Sequence, residues 1–278
     1  MTEQDNLIGE HPKVPHIFGL WWNSTDLPST ERKKHRQLTE NPAVRDTAIN
    51  QLAQWIVESH VTDFNLGLLE RQKAILEKHD LGRYVDCLNL LPKSDTTQKG
   101  NLGEIVLIEY LKESRGFTPY IHKLHYNPNP EQSMKGDDVL MFNPNDINAE
   151  VLYGECKFRR IPTSKVVGEI VGNLEGLKKL PISLNFVANR MSEAGEHDLA
   201  EQIIDLQVKI YNGEVPVTNV GFLISKSSKR VDHGTSAIVE SNLDTSNPRL
   251  VMISLGVENP EDIVTRAFQK AEELLLTK

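Results

Sequence analysis

Two stretches decide how this chain is read: Gly136-Asp137-Asp138-Val139-Leu140-Met141-Phe142 and, across a short turn, Val151-Leu152-Tyr153-Gly154-Glu155-Cys156-Lys157-Phe158. Each is a short run of apolar and aromatic residues, which predicts strands over 137–143 and 150–159. Asn143-Pro144-Asn145-Asp146 supplies the break between them. Side chains alternate along a strand, so Glu155 and Lys157 share one face and Cys156 points the other way. Cys156 then packs inside while the charges line a cleft, and Gly154 leaves room for another group to approach closely. If the two strands pair antiparallel, the start of the first lies near the end of the second, with Asp137 or Asp138 beside Glu155 and Lys157. Two carboxylates and a backbone carbonyl suit a hard divalent cation such as Mg²⁺. Such an ion polarises a phosphate oxygen and lowers the pKa of a bound water. Lys157 can orient that water or stabilise charge developing on the phosphate. This is the layout of a metal-dependent phosphodiesterase and points to a nuclease. The competing reading is an Asp/Glu/Lys salt-bridge patch on a solvated strand pair, because a lone Glu-x-Lys is common.

Upstream, Leu102, Ile105, Val106, Ile108 and Leu111 predict a helix over about 101–115, stopped by Gly116. Glu104 falls on or beside its apolar face. A carboxylate there is costly unless paired or metal-bound. The alternative is a solvent-facing glutamate near the helix N-terminus, favoured by the dipole. Leu91-Pro92 and the polar run from Lys93 to Lys99 read as a loop, 119–126 as a further strand, and Asn127-Pro128-Asn129-Pro130 as a break. Beyond Pro162 come helices at about 164–179, 183–194 and 197–212. Strands follow at 218–226 and 249–255, and a helix runs from Pro260 to about Leu276. Strands flanked by helices imply a mixed central sheet with helices on its faces, an α/β (α+β) fold.

The front of the chain reads differently. Val44, Ala48, Leu52, Trp55 and Ile56 recur at helical spacing over 44–60, after a start at Asn41-Pro42. A second helix is expected over 63–80. Residues 1–90 are thus expected to be a mainly helical region of their own, and 91–278 a second unit with a helical insertion near 183–212. Residues 1–43 carry no clear pattern. Their basic cluster, Arg32-Lys33-Lys34-His35-Arg36, reads as a solvated helix face or loop, with a phosphate or partner contact as the alternative.

At 278 residues, 38% hydrophobic and 25% charged, the composition is that of an ordinary globular protein. A net charge of −8 is unusual for a chain that grips DNA alone, and suggests that another protein supplies much of that grip. Cys87 and Cys156 stand in no metal-type spacing and point to a reducing, cytoplasmic setting. Met1 to Lys13 is too polar for a signal peptide, and Ile17 to Trp22 too short to span a bilayer, so no membrane association is expected. His122 and His125, three apart on the expected strand, would face opposite ways and are not expected to share a metal. Lys165, Lys178 and Lys179 read as an exposed helix face, while Arg159 and Arg160 extend the basic edge of the site. No Walker-type glycine loop appears, so nucleotide hydrolysis is not expected.

At these residues the chain resembles the PD-(D/E)XK nuclease superfamily, whose core runs helix, three strands, helix, strand. Asp138 matches the family's Gly-x-Asp placement, Glu155 and Lys157 its Glu-x-Lys, and Glu104 its helix glutamate. The doubled Asp137-Asp138 departs from the pattern and leaves Asp137 as the alternate metal ligand. More narrowly, Leu91-Pro92-Lys93-Ser94, Lys99-Gly100-Asn101-Leu102-Gly103-Glu104-Ile105, Gly136-Asp137-Asp138 and Gly154-Glu155-Cys156-Lys157-Phe158 resemble the nuclease subunits of bacterial Hachiman anti-phage systems. The resemblance is good over roughly 88–160 and looser to 226. It implies a deoxyribonuclease using Mg²⁺, with Mn²⁺ able to substitute. It also implies a superfamily-2 helicase partner that holds the nuclease inactive until triggered, and cleavage of phage and host DNA thereafter.

Overall fold

The computed structural model describes residues 1–132, 136–175, 182–228 and 233–276. Lys178 and Lys179, with the end of the expected 164–179 helix, lie outside the described residues, as does the side chain of Cys87. The strands β1 (Trp22–Asp26), β2 (His35–Glu40), β3 (Val139–Phe142), β4 (Val151–Arg159), β5 (Val217–Lys226) and β6 (Leu250–Val257) form one sheet. Their order is β1-β2-β6-β5-β4-β3. The inner strands β2, β6, β5 and β4 are parallel, and β1 and β3 close the edges antiparallel. Strands buried on both faces need no polar side, which is why β5 and β6 read as nearly continuous apolar runs.

Helices cover both faces. On one side lie α3 (Arg45–His60), α5 (Asp95–Arg115) and α10 (Pro260–Leu276). Their Leu52, Ile56, Leu102, Ile105, Val264 and Phe268 share a core with Phe222, Ile224, Val251 and Ile253 of the sheet. On the other side α6 (Ser164–Glu175) and α9 (Thr235–Asn242) cover Leu223, Leu250 and Met252. The pair α7 (Ile182–Glu193) and α8 (His197–Tyr211) covers Leu140, Phe142, Val151 and Tyr153. The expected mixed sheet flanked by helices is therefore present.

The front of the chain belongs to the same sheet. Two short helices, α1 (Glu3–Ile8) and α2 (Ile17–Trp21), lead into β1, and β2 pairs in parallel with β6. The first core runs from Leu7 to Ala271, so no separate core marks off residues 1–90. The basic cluster is solvated only at its start. Arg36 is buried and holds Asp5 and Asp26 at 2.7 Å each, with the Gly9 carbonyl at 2.8 Å. His35 lies 3.0 Å from Glu240 and 2.8 Å from Ser254, Lys33 pairs with Glu240, and Arg32 with Asp244. The charges of His35 and Arg36 are thus consumed inside the protein, while Arg32 stays exposed in the turn before β2, as the solvated-loop reading expects.

The strand expected over 119–126 is absent. Pro119 offers no amide hydrogen, and Tyr120 takes a positive φ of 49°, which breaks an extended run. Only an isolated bridge from Thr118 to Phe142 continues the sheet, and a 3₁₀ turn follows over Lys123–Tyr126. Residues three apart come round to the same side of such a turn. The rings of His122 and His125 accordingly lie 5.3 Å apart rather than on opposite faces. The helix expected at 101–115 starts a turn and a half earlier, where Ser94 accepts the Thr97 amide hydrogen as an N-cap, and ends on Gly116 at φ 72°.

Candidate active site

The site is assembled where β3 begins and β4 approaches its C-terminal end. Val139 faces Gly154 across the β3–β4 ladder, so Asp138 stands next to Glu155. The Asp138 Oδ2 accepts the backbone amide hydrogen of Cys156 at 2.8 Å, which locks the aspartate to the Glu-x-Lys strand. Asp137 turns elsewhere. Its amide donates to Ser183 Oγ at 2.8 Å, and its charge acts on the Tyr153 phenol on the α7 side. Gly136 makes the bend possible: its φ is 125°, and a Cβ there would meet Ser183 Oγ at 2.9 Å. Of the two aspartates, Asp138 is thus the one beside Glu155.

Strand alternation sorts β4 as expected. Leu152 and Cys156 pack with the α5-side core. A Cβ on Gly154 would come within 2.7 Å of Leu107 and 2.8 Å of Val139, so this glycine is what lets α5 settle onto the strand. One turn earlier, Gly103 faces Cys156, where a Cβ would sit 3.4 Å away in ordinary contact. Burial pushes the Cys156 thiol well above its usual range, as befits a packing group. Glu155 and Lys157 lie on the other face. Glu155 Oε1 accepts from Lys157 Nζ at 2.5 Å and from Asn173 of α6 at 2.8 Å.

Glu104 comes from α5, directly after Gly103. Its side chain is 14% exposed and pairs with Lys123 at 2.8 Å, so the solvent-facing reading does not hold. Lys123 also donates to the Asp137 carbonyl at 3.0 Å. Electrostatics tie the acids into one cluster. Burial, with the Asp138 and Glu155 charges adding to it and Lys123 opposing, pushes Glu104 up to about 7. Burial and then Glu155 raise Asp138. Burial works against the Lys157 ammonium, but Glu155 and Asp138 outweigh it and hold its pKa above the ordinary value.

Sequence reading missed Lys123, Asn173 and Ser183. Lys123 was hidden by a strand that does not form. Asn173 carries no motif, although Ile170, one turn earlier on α6, packs in the core beneath the helix.

The donor set fits a hard divalent ion. Asp138, Glu155 and Glu104 each have one oxygen engaged by the protein, and among the described residues the second oxygen of each has no hydrogen-bond partner. As they stand, no three acid, histidine or cysteine side chains among the described residues are already gathered as a metal-binding group. An open cleft of about 1450 Å³ lies at the C-terminal ends of β2, β6 and β5, with Arg45, Arg160, Lys226 and Ser236 on its walls. None of the clustered acids lines it, so it adjoins the site rather than containing it. Arg159 and Lys165 both reach Glu169, at 4.0 and 3.8 Å, on an exposed surface.

Comparison with known proteins places the chain in a family. A family model described as HamA matches residues 15–271. A protein from Bacillus cereus described as "Hachiman protein HamA" is 42% identical over 276 residues, which covers 99% of this chain and 98% of the relative.

Proposed function

The chain belongs to the HamA family, and from that premise we propose that it is the Mg²⁺-dependent DNA endonuclease subunit of a Hachiman anti-phage defence complex. In this reading a partner helicase holds the nuclease in check, and phage and host DNA are cut on activation. The observation that carries the reading is the convergence of Glu104, Asp138 and Glu155 from three elements onto one partly buried place, with Lys157 on the same strand. Burial raises Glu104 and Asp138, the Glu155 charge adds to both, and acids so placed are stabilised by a cation beside them. The similarity to a Hachiman protein supplies the defence setting. The helicase partner, the DNA substrate and the cytoplasmic setting follow from the resemblance and from the acidic balance of the chain. Among the described residues no helix is long and apolar enough to cross a membrane.

Asp138, Glu155 and Glu104 would hold the Mg²⁺, or Mn²⁺ in its place. Bound there, the ion would polarise a phosphate oxygen and lower the pKa of a water. Lys157 keeps its proton at neutral pH, because its pKa is held above the ordinary value. Its ammonium can therefore donate to a phosphate oxygen as charge builds there, and orient the attacking water. Asn173 fixes Glu155 from α6, and the Cys156 amide fixes Asp138, so the two acids keep their spacing before any substrate arrives. Asp138→Ala or Lys157→Ala should abolish Mg²⁺-dependent cleavage of DNA by the activated complex while leaving folding and partner binding intact. Full cleavage by both variants would overturn the assignment.

One observation favours a second reading. Every acid of the cluster already has a protein partner, which is what a catalytically silent adaptor with a nuclease fold would show. Calorimetric titration of Mg²⁺ into the wild type and Glu155→Gln separates the two: equal heats would favour the adaptor.

A further inference from the structure

Lys123 is the one charged group at the cluster that no motif anticipates. Its Nζ lies 2.8 Å from Glu104 Oε2 and 3.0 Å from the Asp137 carbonyl. Those two oxygens come from separate elements, α5 and the lead-in to β3, and converge on a single cation. A carboxylate and a backbone carbonyl are also the donors that a hard divalent ion prefers. We propose that Lys123 is a resident counter-cation, its ammonium occupying a place between Glu104 and the Asp137 carbonyl that a divalent ion takes on binding, with the lysine side chain turning out as the ion enters. The inference rests on the metal reading of the cluster given above.

Charge balance supports the exchange. Three carboxylates, Glu104, Asp138 and Glu155, face two ammoniums, Lys123 and Lys157. A divalent ion added to both ammoniums would leave four positive charges against three negative ones in a partly buried space, which is costly. Losing one ammonium as the ion arrives restores balance. The two lysines are not equivalent candidates. Lys157, 24% exposed, reaches Glu155 from two residues away on the same face of β4, so the regular backbone of a non-edge strand keeps this donor and acceptor together. Lys123 starts the 3₁₀ turn beyond the sheet, and its side chain is 19% exposed. Four flexible carbons then let its ammonium reach water without moving the backbone. Glu104 would pass from a lysine partner to an ion partner with its burial unchanged.

The test needs no DNA and no catalysis. The full chain is acetylated briefly with and without saturating Mg²⁺, and the label at each lysine is read by peptide mass spectrometry. A severalfold rise at Lys123 on adding Mg²⁺, with exposed Lys13 unchanged, is expected. The rise should vanish in Asp138→Asn. Lys123 equally or better protected with Mg²⁺ bound overturns the proposal, since the lysine would then be a fixed clamp. Calorimetry gives a second measurement. Lys123→Met at pH 8.5, where proton competition at Glu104 is weakest, should bind Mg²⁺ on the order of tenfold more tightly than wild type. Unchanged or weaker binding by a folded variant overturns it. If the wild type takes up no Mg²⁺ that depends on Asp138 and Glu155, the metal reading falls and this inference with it. Uptake without a response at Lys123 overturns the inference alone.

Discussion

At the scale of single residues, the candidate site was the part of the molecule most open to reading from sequence. Glu155, Cys156 and Lys157 sort by strand alternation alone, a local rule that needs no partner, and the structure places them as that rule requires. The choice of Asp138 over Asp137 needed the ladder register, which the hairpin supplies. Lys123 could not be found in this way, because its role depends on a turn whose geometry is set by Pro119 and Tyr120. A buried histidine near the site gives a pH signature. His60 bonds the Ile56 carbonyl and Asn101, and burial pushes its pKa down to about 4 from 6.5. In the unfolded chain it binds a proton below about pH 6.5, whereas in the folded chain it does so only near 4. The unfolded state thus holds more protons between those values, and stability falls as pH drops through that window. Urea denaturation should show wild type losing up to about 3 kcal/mol more than His60→Gln between pH 6.5 and 4. Parallel curves would show that His60 is not buried neutral.

At the scale of elements, helices with strong apolar periodicity were legible nearly to the residue, α10 at both of its ends. Strands β1 and β2 were not. A strand such as His35-Arg36-Gln37-Leu38 carries charged residues on its buried side, so composition alone calls it surface. Arg36 is the reason this works, because it gathers α1, β1 and the Tyr110 hydroxyl of α5 around one guanidinium. Removing it leaves Asp5 and Asp26 facing each other without a cation. Arg36→Met should cost about 3–5 kcal/mol in chemical denaturation. A loss below about 1 kcal/mol, the range of surface pairs, would show that the buried network is not holding these elements together. The contrast is α4 (Asp63–Lys78), which has no buried residue and leaves Phe64 78% exposed. Its sequence predicts a helix correctly and says nothing of how little that helix is packed.

At the scale of the whole molecule, the sheet order could not be read from sequence, because β2 finds its partner β6 more than two hundred positions later. Local patterns announce strands but not which strand they seek, and a boundary near residue 90 followed naturally from a mainly helical front. The shared core argues that the front and the remainder stand or fall together. A chain starting at residue 91 would expose the edge of β6 and the apolar faces that Phe18, Trp22 and Leu38 cover. It should be insoluble or lack a cooperative melt by circular dichroism. A soluble fragment with a sharp transition would show instead that the rear portion is an independent unit.

The order β1-β2-β6-β5-β4-β3 has a further consequence during synthesis. The hairpin with Asp138, Glu155 and Lys157 leaves the ribosome well before β6, whereas β2, paired with β1 on one edge, must wait for its partner on the other until residue 250 has emerged. Every nascent chain therefore carries the acids of the site before it has the strand that closes the sheet. A translation product cut short after the hairpin would hold those acids on an open-edged, aggregation-prone scaffold. The last strand to be made is thus the one that joins the front pair of strands to the half of the sheet that carries the acids.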